Sequence, residues 1–120
     1  MSDKFCVSIT CAKDNCDKAT IGFAMADSAI ASGKDTMVFL SSEGVRLSQK
    51  GYADSINEQG FPPLKALIDN FAKAGGKIYV CTVCAKNRGL AEDDLVPGAT
   101  IQGGDKLIAF LSGGTPCVSY

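Results

Sequence analysis

The sequence predicts an α/β fold of three layers, with helices on either side of a mostly parallel five-stranded sheet of flavodoxin-like appearance. Three observations carry this. Short β-branched and aromatic runs alternate with helical patterns. Glycines punctuate most of the joins. The run at residues 36–40, Thr-Met-Val-Phe-Leu, is continuously apolar from Met37 onward, as expected of a strand covered on both faces.

The elements follow in order. Residues 4–10 alternate, with Phe5, Val7 and Ile9 on one face, and read as the first strand. Asp17 is a plausible N-cap for a helix whose Ile21, Ala24, Met25, Ser28 and Ala29 share a face, with Gly33 as its stop. Residues 36–40 make the second strand. Residues 41–60 are polar without a clear period, long for a connection, and such segments tend to carry function. Pro62 or Pro63 opens the next helix, whose buried stripe is Leu64, Leu67, Ile68 and Phe71, ended by Gly75 and Gly76. Residues 77–81 are the third strand, 82–90 a short helix closing near Gly89, and 99–102 a short fourth strand. Asp105 caps a helix carrying Leu107, Ile108 and Leu111, ended by Gly113 and Gly114. Residues 116–120 form a last strand whose leading proline suits an edge.

A length of 120 residues fits one domain over residues 1–120. Twelve basic against thirteen acidic side chains, a net charge of -1 and no basic cluster argue against nucleic acid as a partner. No apolar run is long enough to span a membrane, and the start Met1-Ser2-Asp3-Lys4 lacks the features of a signal peptide, so the expected compartment is the cytoplasm. The absence of histidine excludes a Ser-His-Asp triad, a Cys-His pair and every histidine-containing metal site.

Six cysteines remain to be sorted: Cys6, Cys11, Cys16, Cys81, Cys84 and Cys117. In a cytoplasmic chain they are expected reduced. Sites in open parallel sheets form beyond the carboxyl ends of the strands. Cys11 and Cys81 stand at such ends, Cys16 in the loop after Cys11, and Cys84 one turn past Cys81. Cys6, inside the first strand, and Cys117, at the start of the last, read as buried small hydrophobes. A thiol at the step from strand to helix faces unpaired N–H groups and the positive end of a helix dipole, and Lys86 and Arg88 add positive charge. That setting suits a sulfur nucleophile. Thr82-Val83 between Cys81 and Cys84 is not a thioredoxin-type insert. Cys11, Cys16, Cys81 and Cys84 together are a conceivable set of four zinc or iron–sulfur ligands, and inert packing of all six is the third reading. Neither GxxxxGK[ST] nor GxGxxG is present, so Ser41-Ser42-Glu43-Gly44 does not read as a phosphate loop.

The segment Val80-Cys81-Thr82-Val83-Cys84-Ala85-Lys86-Asn87-Arg88-Gly89-Leu90 resembles the signature of the DsrE/DsrF-like sulfur-relay family, in which a strand and a cysteine are followed by Arg-Gly-aliphatic. The element order matches over nearly the whole chain, and Cys84 is similar to the branch labelled peroxiredoxin-like. The resemblance implies a homotrimer or homohexamer with the cysteine near a subunit interface, and a small sulfur-carrier or rhodanese-like protein as donor or acceptor. It implies sulfurtransferase-like chemistry, a sulfur relay rather than turnover of a small molecule, without metal or cofactor. Cys81 would accept sulfur as a persulfide, Cys84 would resolve it, and Arg88 would stabilise the thiolate, against the alternative of a helix-surface arginine. Cys11 and Cys16 are outside that pattern as secondary thiols.

Overall fold

The computed structural model describes residues 3–120; Met1 and Ser2, which begin the polar start noted above, lie outside the described residues. Strands β1 (Lys4–Ile9), β2 (Asp35–Leu40), β3 (Lys77–Cys81), β4 (Ala99–Gln102) and β5 (Cys117–Ser119) form one sheet in the order β4-β3-β2-β1-β5. Every pairing is parallel. The layers are those expected, while the strand order differs from the flavodoxin order. Helices α1 (Cys16–Ala31), α2 (Leu64–Lys73), α3 (Thr82–Asn87) and α4 (Gly104–Leu111) connect the strands. Crossovers between parallel strands are right-handed, so the steps from β1 through β3, taken in one direction, place α1 and α2 on one face. The return from β4 to β5 runs the other way and puts α4 on the opposite face.

The core follows from that division. Val7, Ile9, Val38, Leu40, Ile78 and Val80 point towards α1 and α2, where Phe23 meets Phe71 edge-on at 6.1 Å between ring centres. On the α4 side Cys6, Met37 and Phe39 pack against Phe110. The Lys4 and Lys77 ammonium groups lie 5.3 Å and 5.9 Å from the centre of that ring.

Several expectations need correcting. The cap of α1 is Asn15, whose side chain accepts from the Lys18 amide at 3.1 Å, and Asp17 sits in the first turn. The face α1 buries is Ala19, Thr20, Gly22, Phe23 and Ala26, not the one carrying Met25, which is 41% exposed. Gly22 decides this: a Cβ there would stand 2.5 Å from Ile9 Cδ1, so the helix approaches β1 more closely than a larger residue would permit. Likewise α4 starts after Gly103 rather than at Asp105, and it buries Phe110 while Ile108 stays 65% exposed. Cys117 is exposed, not buried, because β5 is the edge strand and the α4-side cluster reaches only from β1 to β3. The segment 41–60 is ordered, with 3-10 turns at Ser42–Ser48 and Tyr52–Ser55 that bury Val45, Leu47 and Ala53.

Between α1 and α2 lies a carboxylate with little support. Neither Asp27 oxygen has a well-formed hydrogen bond among the described residues, although the Asn70 amide is near enough to offset part of the cost. Burial raises Asp27 from 3.8 to about 6. An acid whose folded value is raised holds its proton more tightly when folded, so stability falls as pH rises through the window from about 4 to about 6. Asp27→Asn removes that cost. It should stabilise the chain at pH 7 by about 1–2 kcal/mol, after discounting for partial exposure, and raise Tm by about 4–8 °C. Thermal unfolding of both proteins at pH 4 and pH 7 checks this, since the gain should disappear at the lower pH.

Candidate functional site

Cys81 ends β3 and is the N-cap residue of α3, with φ -56° and ψ 124°, so its backbone is still extended where the helix begins. Its half-buried side chain touches both the main core and the α4-side cluster. In register, Cys81 is level with Gln102 of β4, and Leu40 with Val80 puts the exit of β2 beside it on the other flank. Parallel partners project to the same face, so Gln102 is the side-chain neighbour of Cys81 on β4. Val83, 65% exposed, follows Cys81 on α3. Cys84 is one turn on, half-buried against the α1 and α2 side of the core. Gly89, with φ +70°, takes the left-handed conformation that ends the α3 region.

Arg88 does not stand free on the helix surface. Its Nε donates to Glu43 at 2.8 Å and its Nη1 to the Cys84 carbonyl at 3.2 Å. Arg46 donates to the other Glu43 oxygen at 2.9 Å. The bond from Arg88, with Arg46 beside it, holds the Glu43 carboxyl below the usual carboxylate range. The tie contributes fully above that usual range and is lost as pH falls through the lowered value. Arg88 therefore fastens the cysteine helix to the segment after β2. That segment enters through Ser42, the non-glycine residue with positive φ, +54°, among those described. An exposed side chain held there costs about 1 kcal/mol.

Cys11 and Cys16 belong to the neighbouring β1–α1 connection. Cys11 is buried, and burial first, then the Asp14 carboxylate, pushes its thiol up, with Lys18 acting the other way. Cys16 Sγ lies 3.8 Å from the Lys13 carbonyl oxygen. Lys13 ties this connection to Tyr52, its amide donating to the phenol oxygen at 3.1 Å and its ammonium 4.4 Å from the ring centre. Because β2 lies between β1 and β3, the two cysteine pairs are about two strand spacings, roughly 10 Å, apart. Among the described residues no group of three or more cysteine or carboxylate side chains is placed to hold a metal ion, so the four-cysteine ligand set is not assembled. All six cysteines are free thiols.

The pattern of the DsrE/DsrF-like family matches residues 3–116. The chain belongs to this family. Among relatives of this DsrE/DsrF-like chain, the uncharacterized protein MJ0989 of Methanocaldococcus jannaschii is 32% identical over 98% of the chain and 99% of its own length. The uncharacterized protein MJ0760 of the same organism is 34% identical over 92% of the chain, which spans 40% of that relative's length. Among solved structures, the ychN protein from E. coli superposes with TM-score 0.71 at 14% identity, covering 98% of this chain and 99% of its own. The protein of unknown function MTH1491 from Methanobacterium thermoautotrophicum gives 0.70 at 13% identity, covering 98% and 100%. These two share the fold.

Two contacts around the cysteine segment of this DsrE/DsrF-like chain are not legible in the sequence. Glu43 lies in a stretch with no period, and nothing local announces a partner 45 residues away. Gln102 becomes a neighbour of Cys81 only through the β3–β4 register. Among the described residues, no helix is long and apolar enough to cross a membrane.

Proposed function

We infer that the chain carries sulfane sulfur as a persulfide on Cys81. The observation supporting this is a half-buried thiol at the carboxyl end of β3, where the helix begins and where the family segment lies. The Cys81 thiolate attacks the outer sulfur of a donor persulfide R–S–SH, the sulfur–sulfur bond breaks, RS⁻ leaves and Cys81–S–SH forms. An acceptor thiolate then attacks the same outer sulfur and takes it, regenerating the Cys81 thiolate. If the acceptor is absent, Cys84 attacks the inner sulfur, giving a Cys81–Cys84 disulfide and releasing HS⁻. Partial burial slows attack by bulk thiols, while Val83 and Ile108, both 65% exposed on elements adjoining Cys81, offer apolar contact to a protein donor or acceptor. The partner is a small sulfur-carrier or rhodanese-like protein, the assembly a homotrimer or homohexamer, the compartment the cytoplasm, and neither metal nor cofactor is required.

The test is intact mass of the anaerobically purified chain before and after incubation with a persulfide donor, with peptide mapping. A gain of about 32 Da, reversed by reductant and carried by the Cys81 peptide, is the expected result. A Cys81 peptide that gains no sulfur overturns the reading.

A further inference from the structure

The parallel pairing of β1 with β5 sets Cys6 directly opposite Cys117. Register partners in parallel strands project to the same face, and adjacent strands run about 4.8 Å apart. That spacing falls inside the window of about 4.4–6.8 Å between Cα atoms that a disulfide needs. The register is pinned on both sides of the pair. The Cys6 amide donates to the Pro116 carbonyl at 2.9 Å, and the Tyr120 amide to the Ser8 carbonyl at 2.8 Å. Upstream, Thr115 Oγ1 donates to the Phe110 carbonyl at 2.8 Å, which fixes how the chain leaves α4 for β5.

The two sulfurs differ in access. Cys6 is fully buried beside Met37, Phe39 and Phe110, while Cys117 is exposed. Burial first, then the hydrogen-bonding contact with Cys117 and Cys117's charge, pushes the Cys6 thiol up to about 12. The two groups thus sense one another without a bond between them. Cys81 is two strands across from Cys6 and four residues further along, roughly 16 Å away, so the pair lies outside the site at the carboxyl ends.

We propose that Cys6 and Cys117 are a second, independent thiol site, a paired dithiol that small-molecule disulfides oxidise to an intrachain disulfide. The exposed partner reacts first: Cys117–S⁻ attacks R–S–S–R, giving Cys117–S–S–R and RS⁻. Cys6 then loses its proton to solvent and attacks the Cys117 sulfur, forming Cys6–S–S–Cys117 and expelling the second RS⁻. The two cysteines give up two electrons, and R–S–S–R is reduced to two thiols. Because the buried thiol must ionise, closure is slow at neutral pH and accelerates as pH rises and the thiolate fraction grows. The disulfide joins the edge strand covalently to its neighbour.

The experiment uses the full chain with Cys81→Ser and Cys84→Ser, so that the thiols of the carboxyl-end site cannot compete. It is treated anaerobically with the disulfide of 2-mercaptoethanol at pH 7, 8 and 9, alkylated and mapped by mass spectrometry. Cys6 and Cys11 share the tryptic peptide spanning residues 5–13, so tandem fragmentation assigns the link. The expected product has lost about 2 Da and links Cys6 to Cys117, with closure more than about tenfold faster at pH 9 than at pH 7. Cys6→Ala should stop at the mixed disulfide on Cys117. Should that variant fail to fold, Cys117→Ser serves instead, leaving Cys6 unreacted. A mixed disulfide on Cys117 that persists at pH 9 in the chain with Cys6 intact, a link between other cysteines, or an unreactive Cys117 overturns the proposal.

Discussion

Cys81→Ser should abolish sulfur loading at that position, leaving less than about one-hundredth of the wild-type gain on the peptide carrying residue 81, because a hydroxyl cannot accept sulfane sulfur by thiol exchange. The substitution removes one half-buried sulfur and should cost little stability, so loss of loading with an unchanged Tm separates chemistry from unfolding. Cys84→Ser makes a different prediction. Loading should persist, and the loaded form should last longer, because the thiol that would displace HS⁻ is gone. If Cys84→Ser abolished loading and Cys81→Ser did not, the roles given to the two residues would be reversed. The comparison needs intact mass on both variants under one donor concentration, with thermal unfolding alongside.

The second large effect lies outside the thiols. Gly44→Ala should destabilise the chain by about 3 kcal/mol or more, lowering Tm by more than about 10 °C. A Cβ at Gly44 would stand 2.3 Å from the Ile9 carbonyl oxygen and 3.0 Å from its carbon, and both are backbone atoms at the end of the interior strand β1. No rotamer relieves such a clash; the turn at Ser42–Ser48 must move off the sheet. Glu43 would move with it and loosen its hold on Arg88. Gly104→Ala is the control. It is in the first turn of α4 with nothing within 4 Å of the added carbon and no positive φ, so it should be neutral or stabilising by about 0.5–1 kcal/mol. Thermal unfolding of the two variants decides it: opposite signs are expected, and a harmless Gly44→Ala would show that the segment after β2 does not bear on β1 as described.

What could be read from the chain follows the range of the forces involved. The stripe of α2 and the limits of β3 and β4 rest on local periodicity and match residue for residue, down to Leu64, Leu67, Ile68 and Phe71. The placement of Cys81 at a strand-to-helix step is equally local. The face α1 buries departs from its periodicity because its packing depends on a glycine rather than on large side chains. Segment 41–60 looked irregular because 3-10 turns bury side chains at neither period 2 nor period 3.6. The Glu43–Arg88 tie and the Cys6–Cys117 pairing require knowing which elements are neighbours, and strand order is set by the whole topology.

The position of β1 bears on how the fold is reached. Its neighbour on one side, β2, follows after one helix, while its neighbour on the other, β5, joins Thr10 to Tyr120 across 110 residues. Closing so long a loop carries a large entropic cost that a three-residue strand repays with a handful of hydrogen bonds. The unit of β1 to β4 with α1 and α2 holds most of the larger core, and Val118 of β5 packs against it from the edge. During synthesis β1 therefore emerges early with one edge unpaired, and that edge stays open until the last strand arrives. Such an edge is a template for another chain, and the arrival of β5 replaces the six-residue edge of β1 with one only three residues long.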